Sequence, residues 1–366
     1  MSTYRYLFTD TLTNSVLAEL PLTSVSGTQA LNSAGTLNGE LLLSGVNALA
    51  LNVANATIPM RCSVYVDRDG TIIWGGIIVA RDYNSSNQHL KISAREFESY
   101  FERRRITSSI NFNAVDQFIV AQTLINNAQA VAGGNIGVAV PTNTSGVTVS
   151  KTYYNYELKT VYSALLDLSQ ATNGFDFNIQ CFYDGGGNPS KALVLSYPRS
   201  GIVYSSSSQT APVFEFPAGN VVEYQLTEDG STTAETIYAQ GAGNSDGKLI
   251  ATASSTTNLA AGWPLLEDSI NYSDISDATL LGNLATGRLN GVTLPPQTLK
   301  LVVPPFVDPV FNDVTYKIGD DCRVRIRDDR FPNGLDQTYR ITSLSFQPGE
   351  NNSPERVVLG LTLSTV

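Results

Sequence analysis

Between Cys62 and Phe97 the chain alternates apolar and polar residues in three runs separated by two turn clusters. Cys62, Val64 and Val66 alternate first, and Asp67-Arg68-Asp69-Gly70 turns the chain. Ile72 to Ala80 returns as a nearly continuous apolar run through Trp74, Gly75 and Gly76. Asn84-Ser85-Ser86-Asn87 turns it again, and Leu90, Ile92 and Ala94 alternate on the way back. Such alternation between Asp/Gly and Asn/Ser clusters predicts a three-stranded meander, because successive side chains of a strand point to opposite faces. Upstream, Tyr6, Phe8, Val16, Ala18 and Leu20 predict a hairpin around Thr13-Asn14-Ser15. A second turn falls at Leu31 to Gly35 before Gly39-Glu40-Leu41-Leu42-Leu43.

The stretch from Asp321 to Leu363 repeats the pattern. Cys322, Val324 and Ile326 alternate, Asp328-Asp329 opens a turn, and Tyr339, Ile341 and Leu344 form a middle strand. Gly349 to Pro354 turns, and Val357, Leu359, Leu361 and Leu363 close. One chain therefore carries two similar β modules, an architectural statement of internal repetition.

Between them the period changes. Phe118, Ala121, Ile125 and Ala128 share a helical face, with Asn113 as candidate cap and Gly133-Gly134 as stop. Leu158, Val161, Tyr162, Leu165 and Leu168 predict a second amphipathic helix ending at Asn173-Gly174. Phe175, Phe177 and Ile179, then Ala192 to Tyr197, predict a hairpin around Asp184 to Asn188. Later come strands at Val221 to Leu226 and Thr236 to Ala239, an exposed Ser254 to Gly262, and a helix from Ser276 to Asn290. Leu299 to Val303, bracketed by Pro295-Pro296 and Pro304-Pro305, predicts a short or edge strand. The fold class expected is mainly β with an α+β insert: a small tube-type β-barrel over 1–108, an α+β domain over 109–213, and a second barrel with a short helix over 214–366.

Composition narrows the functional classes. Of 366 residues, 42% are hydrophobic and only 15% charged, which suits β cores with polar or partner-covered surfaces. A formal charge of −10 opposes nucleic-acid binding, which needs a basic face. No apolar run has the length of a membrane-spanning helix, and MSTYRYLFTD does not read as a signal peptide. Cys62, Cys181 and Cys322 are odd in number and far apart, which fits neither a disulfide framework nor a zinc site and suggests synthesis in a reducing cytoplasm.

The chemistry-bearing residues do not assemble into a catalytic motif. The lone histidine, His89, lies beside a turn without a GxSxG elbow. Asp67-Arg68-Asp69-Gly70 begins like a calcium loop but lacks its later ligands, while Asp320, Asp321, Asp328 and Asp329 flank one strand. Gly185-Gly186-Gly187 and Gly241-Ala242-Gly243 lack the context of phosphate loops. Glu102-Arg103-Arg104-Arg105 reads as a solvated edge or subunit contact. Tyr153, Tyr154 and Tyr156 allow carbohydrate stacking, though core and interface packing is the commoner use of tyrosine. A glycosidase-type carboxylate pair, such as a peptidoglycan hydrolase needs, is not singled out. No catalytic, cofactor or metal residue is assigned, and a non-enzymatic role is expected.

Leu20-Pro21-Leu22, Gly39-Glu40-Leu41, Tyr65-Val66-Asp67-Arg68-Asp69-Gly70, Trp74-Gly75-Gly76-Ile77-Ile78 and Glu96-Phe97 with Tyr100-Phe101 and Arg103-Arg104 resemble minor tail proteins of long-tailed actinobacterial phages, of the tail-hub or baseplate-hub kind. The motifs cover residues 15 to 106. The resemblance implies two tube-like barrels per chain and a homotrimer whose six barrels join a sixfold tail tube to threefold tip components. It implies a virion location at the tail tip after assembly in the host cytoplasm. The implied partners are a tail-tube or distal tail protein on one side and tip, spike or fibre proteins on the other. Contact with a tape-measure protein is also compatible. DNA would transit without specific binding, and the protein would not insert stably into a membrane. With the chain ending at Val366, any lytic activity is expected from another protein. The alternative is a receptor- or carbohydrate-binding tail module.

Overall fold

The computed structural model describes residues 2–43, 50–204, 210–295, 297–311, 315–350 and 353–364. The first module runs β1 (Tyr4–Asp10), β2 (Val16–Glu19), β3 (Thr23–Ala30), β4 (Thr36–Leu42), the one-turn α1 (Val53–Ala56), β5 (Cys62–Arg68), β6 (Thr71–Asn84) and β7 (His89–Glu96). Asp69 (φ 54°) and Gly70 (φ 88°) make the β5–β6 turn. Positive φ at both central residues matches the right-handed twist of the flanking strands, which is why Asp-Gly occurs there. Gly70 N donates to the Asp67 carboxylate at 2.8 Å and fixes the turn.

The insert comprises α2 (Glu98–Phe101), β8 (Ile110–Asp116), α3 (Gln117–Ala130), β9 (Val138–Ala139), β10 (Thr148–Tyr153), α4 (Val161–Gln170), β11 (Asp176–Tyr183) and β12 (Pro189–Ser196). Asp116, not Asn113, caps α3, accepting from Phe118 N at 2.8 Å. Asn113 is taken up in β8, where cross-strand pairing with β10 outweighs its capping tendency. Thr160 caps α4, so Leu158 falls outside that helix at φ 46° and is exposed.

The last stretch holds β13 (Val213–Phe216), β14 (Glu223–Glu228), β15 (Thr236–Gln240), β16 (Ile250–Ser254), α5 (Thr257–Ala260), β17 (Glu267–Asn271), α6 (Ala278–Val292), β18 (Gln297–Val303), β19 (Asp321–Ile326), β20 (Leu335–Gln347) and β21 (Arg356–Leu363). Here β15, β16 and β17 form their own small sheet, and with α6 they bury a separate core around Ile237, Ile275, Leu281 and Leu284. Within the otherwise exposed Ser254 to Gly262 stretch, Asn258 is buried against Glu235. β18 is an interior strand between β14 and β21, not an edge. Pro295, Pro304 and Pro305 lie outside Gln297–Val303, so they take no donor from its ladder. Pro296, residues 351 and 352 of the expected last turn, and Val366 lie outside the described residues.

The two modules join into one sheet of 13 strands, ordered β14-β18-β21-β20-β3-β4-β7-β6-β5-β1-β2, with β19 beside the first half of β20 and β13 beside β19. Neither module closes into a barrel by strand pairing among the described residues. One core serves both, with Phe8, Trp74 and Ile92 in the same cluster as Val324, Phe346 and Leu359.

The repetition extends beyond the two meanders. The neighbour order β3-β4-β7-β6-β5-β1 corresponds strand for strand, in chain order, to β14-β18-β21-β20-β19-β13. Both middle strands bulge, between Ile78 and Ala80 in β6 and between Ile341 and Ser343 in β20. Counted from the bulges, Ile77 corresponds to Arg340. Their partners are Ser63 and Asp321. Cys322 therefore occupies the place of Val64 rather than of Cys62, a two-residue offset that preserves which side chains face the core. The outermost pair differs: β1 runs antiparallel to β5, and β13 parallel to β19.

Candidate functional site: the seam of the double module and its uncovered edges

Gly27 to Ala30 of β3 pair antiparallel with Phe346 to Ser343 of β20, and this ladder is the seam between modules. A Cβ on Gly27 would lie 2.2 Å from the Phe346 ring, so only glycine lets the ring cross the seam. Phe346 is 1% exposed and stacks on Tyr4 at 6.3 Å.

A buried ion pair bridges the modules beside the seam. Arg68, at the end of β5, donates from Nε to Glu355 Oε1 at 2.8 Å and from Nη2 to Oε2 at 3.3 Å. Its Nη1 reaches the Phe311 carbonyl at 2.9 Å, and its guanidinium lies 5.0 Å from the Phe311 ring centre. Tyr4 OH donates to the same carboxylate at 2.6 Å. Burial pulls the Arg68 pKa down, but the Glu355 hydrogen bond and charge outweigh it and leave the pKa raised. Two-point geometry with every group engaged is the condition under which a desolvated ion pair holds.

The insert is fastened to the first module in a similar manner. Gly75 of β6 has no Cβ because one would stand 2.6 Å from Cys181 Sγ, and β11 packs onto β6 at this point. Lys191 Nζ, buried, donates to Asn14 Oδ1 at 3.1 Å and to Tyr65 OH at 3.2 Å and lies 4.6 Å from the Phe97 ring centre. Burial lowers its pKa to about 8. A cavity of about 140 Å³ lies nearby, lined among others by Gln29, Trp74, Gly75, Glu96, Glu98 and Cys181. Glu96 accepts from Gln29 at 3.0 Å and from Gly35 N at 2.7 Å. Glu98 accepts from Ile179 N through one oxygen, and its other oxygen is buried without a hydrogen-bond partner. Burial pushes Glu98 up to about 7; burial and then the Glu98 charge push Glu96 up as well. Burial also raises the Cys181 thiol well above its ordinary value, which disfavours the nucleophilic thiolate.

Further polar clamps complete the assembly. Asp176 of β11 binds Arg340 of β20, Asn32 Nδ2 (2.9 Å) and Ser200 N (2.6 Å). Lys159 Nζ lies 2.7 Å from a carboxylate oxygen of Asp167 and of Asp274, and Lys151 donates to Asp274 at 3.4 Å, ion pairs that tie the insert to the loop before α6.

The residues singled out by sequence are dispersed. His89 Nδ1 is 2.8 Å from Glu40 on the neighbouring strand. Among the aspartates, Asp320 caps backbone N–H groups of Ile202 and Lys317. Asp321 pairs with Arg199, and Asp328 accepts from Tyr224 OH at 2.6 Å. Among the described residues no group of three or more His, Cys, Asp or Glu side chains is placed to hold a metal. The three cysteines are unpaired thiols. Within Glu102 to Arg105, Glu102 pairs with Arg95 at 2.6 Å, Arg104 binds the Ala128 carbonyl and Arg105 the Leu158 carbonyl. Through these contacts the run fastens the first module to the insert. Tyr153 is buried, while Tyr154 and Tyr156 stack at 5.2 Å with Tyr156 at 74% exposure. Gly185 to Gly187 form the β11–β12 turn.

Among the described residues, two of the strand edges without a partner belong to the repeated modules at matching places. Past its bulge, β6 pairs only with β7 among the described residues, and Ala80 to Asn84 are exposed. β14 ends the sheet and, among the described residues, pairs only with β18.

No family model and no curated protein sequence matches the chain. Solved structures do. A tail protein from Neisseria meningitidis superposes with a TM-score of 0.59 at 14% identity, over 98% of this chain and 96% of that one. A 43 kDa tail protein of a Shewanella oneidensis prophage gives 0.56 at 14% identity, over 98% and 96%. A Listeria monocytogenes prophage tail protein gives 0.55 at 13%, over 97% and 94%. Along nearly its whole length this chain has the fold of these tail proteins, and the matches do not carry the actinobacterial origin that the sequence motifs imply.

Proposed function

We propose that the protein is a non-enzymatic structural subunit of a phage tail, the hub at the tail tip. In this role three copies form a ring, and their six β modules join a sixfold tail tube to threefold tip components. The carrying observation is the strand-for-strand repetition of a six-strand module within a chain that has a tail-protein fold throughout. Three chains with two modules each present six near-equivalent units, which resolves a sixfold-to-threefold mismatch through cyclic symmetry. One ring face meets a tail-tube or distal tail protein, the other a spike or fibre protein, with a tape-measure protein as a further neighbour. A formal charge of −10 suits a channel through which DNA passes without adhering. Electron images of the purified protein are expected to show rings of six β units around a lumen. Isolated particles at high concentration would refute the reading.

The exposed Tyr154–Tyr156 stack favours a second reading, a carbohydrate-binding tail module, since stacked rings suit sugar faces. Glycan-array binding that is lost in Tyr156→Ala would support it.

A further inference from the structure

The in-chain seam sets a register against which the free strand edges can be compared. It pairs Gly27 with Phe346, Thr28 with Ser345, Gln29 with Leu344 and Ala30 with Ser343. Counted from the two bulges, Ser343, Leu344, Ser345 and Phe346 of β20 correspond to Ala80, Arg81, Asp82 and Tyr83 of β6. The other side of the seam can be matched by tracing across the ladders. Gly27 stands opposite Leu37, Leu37 opposite Ala94, and Ala94 opposite Ile78, just before the bulge. In the second module Leu226 stands opposite Leu299, Leu299 opposite Leu361, and Leu361 opposite Ile341, again just before the bulge. Leu226 to Asp229 therefore hold the places of Gly27 to Ala30. Among the described residues, neither of the two corresponding segments, in β14 and in the second half of β6, has a strand on its outer side.

We propose that β14 of one copy pairs antiparallel with the free half of β6 in the next, Leu226 opposite Tyr83, Thr227 opposite Asp82 and Glu228 opposite Arg81. The proposal rests on the ring reading above and names the edges that build the ring. Its chemistry is complementary. Arg81 and Glu228 carry opposite charges and are exposed, although each also has partners in its own chain: Arg81 with Ala54 O and Thr57, Glu228 with Gln297 and Arg330. Tyr83, 51% exposed, borders an apolar hollow with Leu43, Val53 and Leu90, while Leu226 lies against the main core. Tyr83 takes the place of Phe346 on the core-facing side, and among the described residues no strand covers it. An unpaired strand edge templates another strand, and a head-to-tail joint that uses different patches on its two sides generates rings.

Directly opposed residues of antiparallel strands stand within disulfide reach. The test is the full chain carrying Arg81→Cys with Glu228→Cys, oxidised and run without reductant, beside the single variants and a pair shifted by one residue, Asp82→Cys with Glu228→Cys. The expected result is covalent trimer from the first pair alone. A second readout is charge reversal: Arg81→Glu or Glu228→Arg alone raises the concentration at which trimers dissociate by about tenfold or more, and the double reversal restores it. Trimers by native mass without the cross-link and without charge rescue would overturn this joint and leave the hub reading standing. Monomers in the wild-type protein would overturn both.

Discussion

The middle strands of the two modules are built alike and end differently. β20 and β6 each pair with one neighbour before the bulge and another along the meander. Past the bulge, β20 is covered by β3, and Phe346 is 1% exposed; β6 is covered by nothing among the described residues, and its counterpart Tyr83 is 51% exposed. The same backbone geometry is satisfied within the chain in one module and left open in the other. Local sequence builds the strand, and the satisfaction of its edge is decided by what the rest of the molecule brings alongside.

The comparison breaks most readily at the buried bridge between modules. Arg68→Ala leaves the Glu355 carboxylate buried without its cation and is expected to cost about 3–5 kcal/mol in urea or guanidinium unfolding. A cost under about 1 kcal/mol would show that the modules do not depend on this pair. Phe346→Ala is expected to cost about 3–5 kcal/mol for a fully buried aromatic, while Tyr83→Ala shifts the stability of the isolated chain by about 0.5 kcal/mol or less and acts on assembly. Equal costs in the separated chain would erase the distinction between covered and uncovered edges.

Protonation sharpens the picture of the joint with the insert. Because Glu98 titrates at about 7 in the fold against 4.5 ordinarily, the folded state binds more protons between those values. Stability is then greatest below pH 4.5 as far as this group is concerned and falls as pH rises to about 7, by on the order of 2–3 kcal/mol. Glu98→Gln should flatten that slope in melting curves recorded from pH 5 to 8. An unchanged slope would place the pH dependence elsewhere. At the same joint, Gly75→Ala is expected to cost about 1–3 kcal/mol by forcing a methyl group against Cys181 Sγ.

Elements were legible where local pattern determines them. The alternation around Cys62 to Ala94, the Asp69-Gly70 turn and the apolar face of α4 follow from period and turn chemistry within a few residues. The α3 cap was misplaced by three positions because Asn113 and Asp116 are both good caps and only strand pairing decides between them. β18 reads as an edge because prolines flank it, yet neighbours in a sheet are set by long-range pairing that periodicity does not carry. The seam was illegible for the same reason: Arg68 and Glu355 lie 287 positions apart, and neither residue announces a partner. Glu96 and Glu98 gave no signal either, since a buried carboxylate looks like any other glutamate until its surroundings are known.

The central claim is that one chain is an incomplete segment of a ring. Native mass measurement of the full-length protein tests it most directly. The account predicts a species at three times the 39.3 kDa chain mass, dissociating on dilution to single chains without stable dimers. A monomer that persists at high concentration, or a dimer as the largest species, would contradict it.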